Sequence, residues 1–188
     1  MPFEKNSEHL NGVIVLKTKE FHDDRGSFME MYRADQFKEL DIPYPFVQEN
    51  YSFSKQGVVR GLHFQWEPPM GKLMRVLSGR AFIVAADIRK NSPTFGQWFG
   101  LETSRDERIQ MWAPAGFARG FCALSETVEI QYLCTGTYNP ACESGIRWND
   151  KTFNINWPVK EPLLSEKDDK AQSLEEWTER PESDFFKL

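Results

Sequence analysis

Short β-favouring runs punctuated by turn residues constrain this chain more than any other feature. They fall at residues 13–17, 27–32, 58–64, 72–77, 81–88, 108–113, 121–124 and 128–134. Gly, Pro, Asn and Asp separate them. Many short strands at this spacing predict a mainly β fold, closed as a sandwich or barrel. Ser78-Gly79, between two of the runs, predicts a tight hairpin connection. Helical pattern is scarce. Residues 34–40 form one short candidate, and residues 168–179, rich in good helix formers, form another. The last stretch, residues 179–188, carries two expectations: a mobile tail over 180–188, or docking through Phe185-Phe186. No repeat or long linker divides the chain, and 188 residues suit one domain spanning 1–188.

Composition narrows the function classes. Lys and Arg number 23 against 28 Asp and Glu, a net charge of −5, and this argues against a nucleic-acid partner. Aromatics at 14% exclude a disordered chain. Cys122, Cys134 and Cys142 are odd in number and lack CxxC spacing, so neither a disulfide framework nor a Cys-rich zinc site is expected. With only His9, His22 and His63, an imidazole-rich metal centre is hard to build. Residues 1–10 lack the apolar core of a signal peptide, and the longest apolar run, 81–86, is far short of the ~20 residues that span a bilayer. The expectation is a cytoplasmic protein with no membrane partner.

The centre of the chain carries the chemistry-bearing residues. Arg60 and His63 share one β-rich run but differ in parity, so a regular strand sends them to opposite faces. Gly61 between them offers a site for a bulge that brings both to one side; the alternative is a surface Arg and an incidental His. Tyr132 alternates with Val128, Ile130 and Cys134 and should point inward, either for chemistry or as a core Tyr bonded to backbone. Lys72 opens a strand after Gly71, where a solvated Lys is the ordinary expectation. Asp168 stands near a helix start, where an N-cap role competes with any other. The stretches 23–26 and 149–150 read as turns.

Taken together, these segments resemble the nucleotide-sugar epimerases typified by dTDP-4-dehydrorhamnose 3,5-epimerase, over about residues 12–169. The matching motifs are Asp24-Arg25-Gly26-Ser27-Phe28-Met29-Glu30, Val47-Gln48-Glu49-Asn50, the run from Gly57 through Gln65, and Gly71-Lys72-Leu73. They continue with the run from Asp87 through Gly96, Pro114-Ala115-Gly116-Phe117, Tyr138-Asn139-Pro140, Gly145-Ile146-Arg147-Trp148 and Leu164-Ser165-Glu166-Lys167-Asp168. Singly each is weak; their order and spacing are specific. The resemblance implies a double-stranded β-helix jelly roll (a cupin barrel) with short flanking helices. It also implies a homodimer that exchanges an N-terminal strand.

The implied substrate is a nucleotide-diphospho-4-keto-6-deoxysugar, and the chemistry needs no redox cofactor and no metal. A 4-keto group acidifies the hydrogens on C3 and C5, a base removes one to give an enolate, and an acid returns a proton on the other face. The resemblance makes His63 the base, Asp168 its orienting carboxylate, Tyr132 the acid and Lys72 the enolate stabiliser. It places Arg60 near the diphosphate or keto oxygen and Arg25 on the diphosphate. Phe28 and Tyr138 would stack on the nucleobase, with Glu30, Gln48 and Asn50 as polar contacts. Glu143 and Lys167 complete the implied substrate-binding set. Arg25, Phe28 and Glu30 would come from the partner subunit.

One position departs from the pattern. The family usually reads Gly-Phe-Ala-His-Gly-Phe where this chain has Gly116-Phe117-Ala118-Arg119-Gly120-Phe121. Arg is longer, permanently charged and unable to act as a base. Arg119 has three readings: a ligand for an extra phosphate oxygen, a partner for an internal carboxylate, or a block in the sugar pocket. Inversion at C3, at C5 or at both, on a dTDP- or a CDP-linked sugar, all stay open. Two other classes compete. A metal-dependent cupin would want imidazoles where Gln65 and Arg119 stand, leaving His63 and Glu67 as a poor ligand set. A non-catalytic sugar-binding cupin fits less well with a chain that keeps His63, Lys72, Tyr132 and Asp168 together.

Overall fold

The computed structural model describes residues 2–42 and 45–188. Its strands are β1 (Phe3–His9), β2 (Val13–Thr18), β3 (Glu20–Asp23), β4 (Gly26–Met29), β5 (Gln48–Lys55), β6 (Val59–Gln65) and β7 (Lys72–Ser78). They continue as β8 (Arg80–Asp87), β9 (Trp98–Ser104), β10 (Ile109–Ala113), β11 (Phe117–Ala123), β12 (Thr127–Cys134) and β13 (Glu143–Gly145). The short helices are α1 (Ala34–Glu39), α2 (Glu166–Asp169) and α3 (Leu174–Glu179). One sheet runs β1-β2-β10-β7-β12-β5 and a second runs β13-β6-β11-β8-β9. Every pairing within them is antiparallel. The two sheets face each other as the expected jelly roll. Among the described residues no helix is long and apolar enough to cross a membrane.

Side-chain alternation decides what lies between the sheets. Met74 and Val76 of β7, Val128 and Ile130 of β12, and Phe117 and Phe121 of β11 meet in the interior. Their neighbours point outward. Leu73 joins Phe3, Leu16, Phe37 and Trp112 beneath α1. Ala118 and Cys122 join Phe64, Trp157, Trp177 and Phe186 beneath the C-terminal segment. The second sheet is therefore covered on both faces, and all seven residues of β11 are buried.

That covering fixes the tail. Phe186 is 6% exposed against the Trp177 cluster, while Phe185 is 55% exposed. Burying an aromatic of this size contributes roughly 1.5–3 kcal/mol. A 3₁₀ turn over Pro181–Phe186 delivers it, and the Leu188 amide donates to the Lys90 carbonyl at 3.0 Å. The tail docks through one of its two aromatics.

Several sequence expectations are corrected. Gly79 joins β7 to β8, but those strands lie in different sheets, so Ser78-Gly79 turns a corner between sheets. Residues 168–179 do not form one helix. Gln172 bridges to Ile146 between α2 and α3, and Ser173 begins α3 afresh with a capping box to Glu176. The strand expected at 121–124 already starts at Phe117. Strands β1, β3, β5, β9 and β13 have no counterpart among the expected runs. The turn at 23–26 is the tip of the β3–β4 hairpin, which pairs with no other strand among the described residues.

Candidate active site

A cavity of about 240 Å³ opens between the sheets, lined by Arg60, His63, Lys72, Arg119 and Tyr132. A larger depression of about 380 Å³ beside Arg147 and Glu176 contains no imidazole.

The cavity owes its imidazole to a bulge. Across β6 and β11, Arg119 pairs with His63 and Phe121 with Arg60, so Gly120 of one strand opposes both Gly61 and Leu62 of the other. Gly61 sits at φ +123°, and a Cβ there would stand 2.6 Å from the Gly120 Cα. Only glycine fits that conformation and that approach. The extra residue turns Arg60 and His63 into the same cavity, while Leu62 packs behind the sheet.

His63 Nε2 lies 2.5 Å from Asp168 Oδ1. Asp168 does not cap its helix. Ser165 is the N-cap of α2 and its hydroxyl accepts the Asp168 amide at 3.1 Å, which releases the Asp168 carboxylate toward His63. Asp168 is 4% exposed. Burial pushes its carboxyl up, but the hydrogen bond and charge of His63, the Ser165 hydroxyl and the Gly61 amide outweigh it. The net result is below the usual carboxylate range. An ionised carboxylate only accepts, so Nε2 carries the hydrogen. In the neutral ring Nδ1 then keeps its lone pair.

Tyr132 points inward with Val128 and Ile130 and meets the Ser52 hydroxyl at 2.9 Å. Its partner is thus a side chain of β5 and not the backbone. Burial dominates the opposing effects of Ser52 and Arg60 and pushes the phenol up to about 12, which keeps it protonated. Lys72 is half-buried, not the solvated Lys expected, with Nζ 5.9 Å from the Tyr132 ring centre. Burial, then the charge of Arg119, lowers its ammonium to about 8. Arg60 is held toward β5, donating to Ser54 Oγ at 3.0 Å and to the Phe53 carbonyl at 3.1 Å.

Arg119 is 3% exposed and pairs with no carboxylate among the described residues. Its Nη1 donates to the Met70 carbonyl at 2.6 Å, with longer contacts to Pro114 at 3.3 Å and Ala113 at 3.4 Å. The internal-carboxylate reading is therefore corrected: backbone oxygens anchor this side chain.

The remaining expected residues divide into two groups. Asn50 lines the cavity, and Gln48 and Tyr138 join it through hydrogen bonds: Gln48 donates to Asn50 Oδ1 at 2.8 Å and accepts the Tyr138 amide at 2.7 Å. Glu143 and Lys167 pair with each other, near enough to influence Lys72. Arg25, Phe28 and Glu30 stand apart on or beside the β3–β4 hairpin. Arg25 pairs with Asp23 at 2.6 Å, Glu30 with Arg33 at 3.5 Å, and Phe28 is 70% exposed. None of the three lines the cavity. Sequence reading missed Ser52 and Ser54. Their signal was the polar alternation of Gln48, Asn50, Ser52 and Ser54 along one strand. Among the described residues, no three His, Cys, Asp or Glu side chains gather where they would hold a metal.

A model of the dTDP-4-dehydrorhamnose 3,5-epimerase family matches residues 7–176. A dTDP-4-dehydrorhamnose 3,5-epimerase from Neisseria gonorrhoeae is 50% identical over 160 residues. The match covers 85% of this chain and 49% of that protein, so the chain spans about half the length of that relative. The Shigella flexneri protein of the same name is 48% identical over 164 residues, covering 86% of this chain and 91% of that one. The crystal structure of a dTDP-6-deoxy-D-glucose-3,5-epimerase from Legionella pneumophila, in complex with dTDP-4-keto-L-rhamnose, superposes with a TM-score of 0.89. Its sequence identity is 41%, over 92% of this chain and 93% of that one. This chain belongs to the dTDP-4-dehydrorhamnose 3,5-epimerase family and is an isomerase.

Proposed function

We propose that the cavity inverts a carbon next to the keto group of a dTDP-linked 4-keto-6-deoxyhexose, for deoxysugar synthesis. The observation that carries this reading is the His63–Asp168 pair at 2.5 Å in a cavity shared with Tyr132 and Lys72. His63 Nδ1 takes the proton from C3 or C5. The C–H electron pair becomes a C=C bond and the carbonyl oxygen takes the negative charge. Asp168 holds the ring and stabilises it once charged. Lys72 faces the oxygen as charge develops there. Tyr132 returns a proton to the carbon from the other side, and solvent restores both groups afterwards. The raised phenol supports an acid and not a base at that position.

Arg25, Phe28 and Glu30 serve the site of a second copy in this reading. What supports it is a hairpin without strand partners among the described residues and a Phe28 left 70% exposed. A homodimer exchanging this segment then completes two sites. A single-carbon epimerase is a second reading, favoured by Arg119 at the position where the resemblance implies His.

Proton NMR in D2O, with dTDP- and CDP-linked 4-keto-6-deoxyglucose, tests the assignment. Deuterium should enter at C3, C5 or both with the dTDP sugar. Exchange only with the CDP sugar would reassign the nucleotide. Exchange with neither would favour a sugar-binding protein.

A further inference from the structure

Arg119 carries an observation that the proposed mechanism leaves unused. The guanidinium is anchored through Nη1 alone, while Nε and Nη2 are buried and have no hydrogen-bond partner among the described residues. Among the described residues no carboxylate pairs with it, and the ionisable groups that influence it or feel it are Cys134 and Lys72. A buried cation with empty donors is unfavourable on its own and is relieved when an oxygen acceptor arrives. The side chain lies opposite His63 in register and lines the same cavity as Lys72 and Tyr132.

We propose that Arg119 binds the sugar's C4 oxygen through Nε–H and Nη2–H and, with Lys72, stabilises it as it turns from ketone to enolate. This rests on the epimerase reading and deepens it by giving the oxyanion two cations. A planar fork of two donors suits an oxygen gaining charge better than a neutral imidazole does. The interaction strengthens between bound substrate and enolate, so it acts on the chemical step more than on binding. It also separates Arg119 from a ligand of an extra phosphate oxygen, which would act on binding alone.

Steady-state kinetics and D2O exchange on the full chain, with dTDP-4-keto-6-deoxyglucose as probe, decide it. Arg119→Met should lower kcat for exchange about a hundredfold, as for loss of an oxyanion donor. KM should change little, and affinity for dTDP itself should stay as it was. Arg119→Lys should recover roughly tenfold of the loss, because it restores the charge without the fork. Exchange by Arg119→Met within about threefold of the unaltered chain would overturn the proposal, as would a loss residing wholly in KM. Should Arg119→Met fail to fold, Arg119→Lys and Arg119→Gln decide: Lys faster than Gln supports the proposal, and equal rates overturn it. No exchange by the unaltered chain would sink the epimerase reading and this proposal together.

Discussion

Two buried polar clusters in this barrel differ in how completely they are satisfied. At the end of β8, Asp87 is fully buried and accepts from Arg89 Nε at 2.9 Å and Nη2 at 2.7 Å. The hydroxyls of Ser92 and Thr94 each donate to it at 2.6 Å. Arg89 in turn donates to the Leu10 carbonyl at 2.8 Å and stacks over Phe117. Burial alone would raise the Asp87 carboxyl, but these donors hold it below its ordinary range. The cavity is the opposite case. Arg119 has two empty donors, Lys72 is drawn down to about 8, and His63 has one ring nitrogen uncommitted to Asp168. Completed polar burial ties a loop to the N-terminal strands. Incomplete polar burial leaves interaction capacity for a ligand.

Three measurements test that contrast. The largest effect is expected at His63. His63→Ala should slow exchange about a thousandfold, the scale of a lost general base. Near-normal exchange would show that another group takes the proton. Next comes Asp87→Ala, which strands the Arg89 charge and should destabilise the fold by about 3 kcal/mol in denaturant titration. Per folded molecule it should still exchange; a dead but stable variant would erase the distinction between the clusters. The smallest effect is in pH. With its ammonium lowered to about 8, Lys72 loses its charge as pH rises, so kcat should fall above about pH 8. The slope should approach tenfold per pH unit if Lys72 alone supplies the charge, and flatten if Arg119 shares the oxyanion. A rate that stays level to pH 10 would remove Lys72 from the chemistry.

How much was legible follows from which residues bury apolar surface. Strands such as β8 and β12 announce themselves, because one or both faces are apolar. β1 and β5 do not: each buries one residue, Phe3 and Ser54 respectively, so neither carries an apolar pattern. They are held by pairing to β2 and β12. In the site, the bulge at Gly61 and the inward face of Tyr132 were readable from glycine placement and alternation. Asp168 was ambiguous because Ser165, three residues earlier, competes for the same cap, and the structure gives the cap to Ser165. Lys72 looked ordinary because sequence does not show which end of a strand is roofed over. Ser52 showed only as one member of a polar alternation, because its role is set by register across to Tyr132, eighty positions away.

The glycine pair at the heart of β6 and β11 bears on how such a site changes over time. A Cβ on Gly61 would stand 2.6 Å from the Gly120 Cα, and one on Gly120 would stand 2.6 Å from the Arg60 carbonyl oxygen. Gly120 blocks substitution at Gly61, and the Arg60 carbonyl blocks it at Gly120, so the backbone crossing is locked from both sides. Position 119 sits beside that lock but presents its side chain away from it, into the cavity. Exchanging an imidazole for a guanidinium there asks nothing new of the main chain. The barrel thus sets two positions that tolerate only glycine beside a neighbouring position whose side chain can change without moving the main chain.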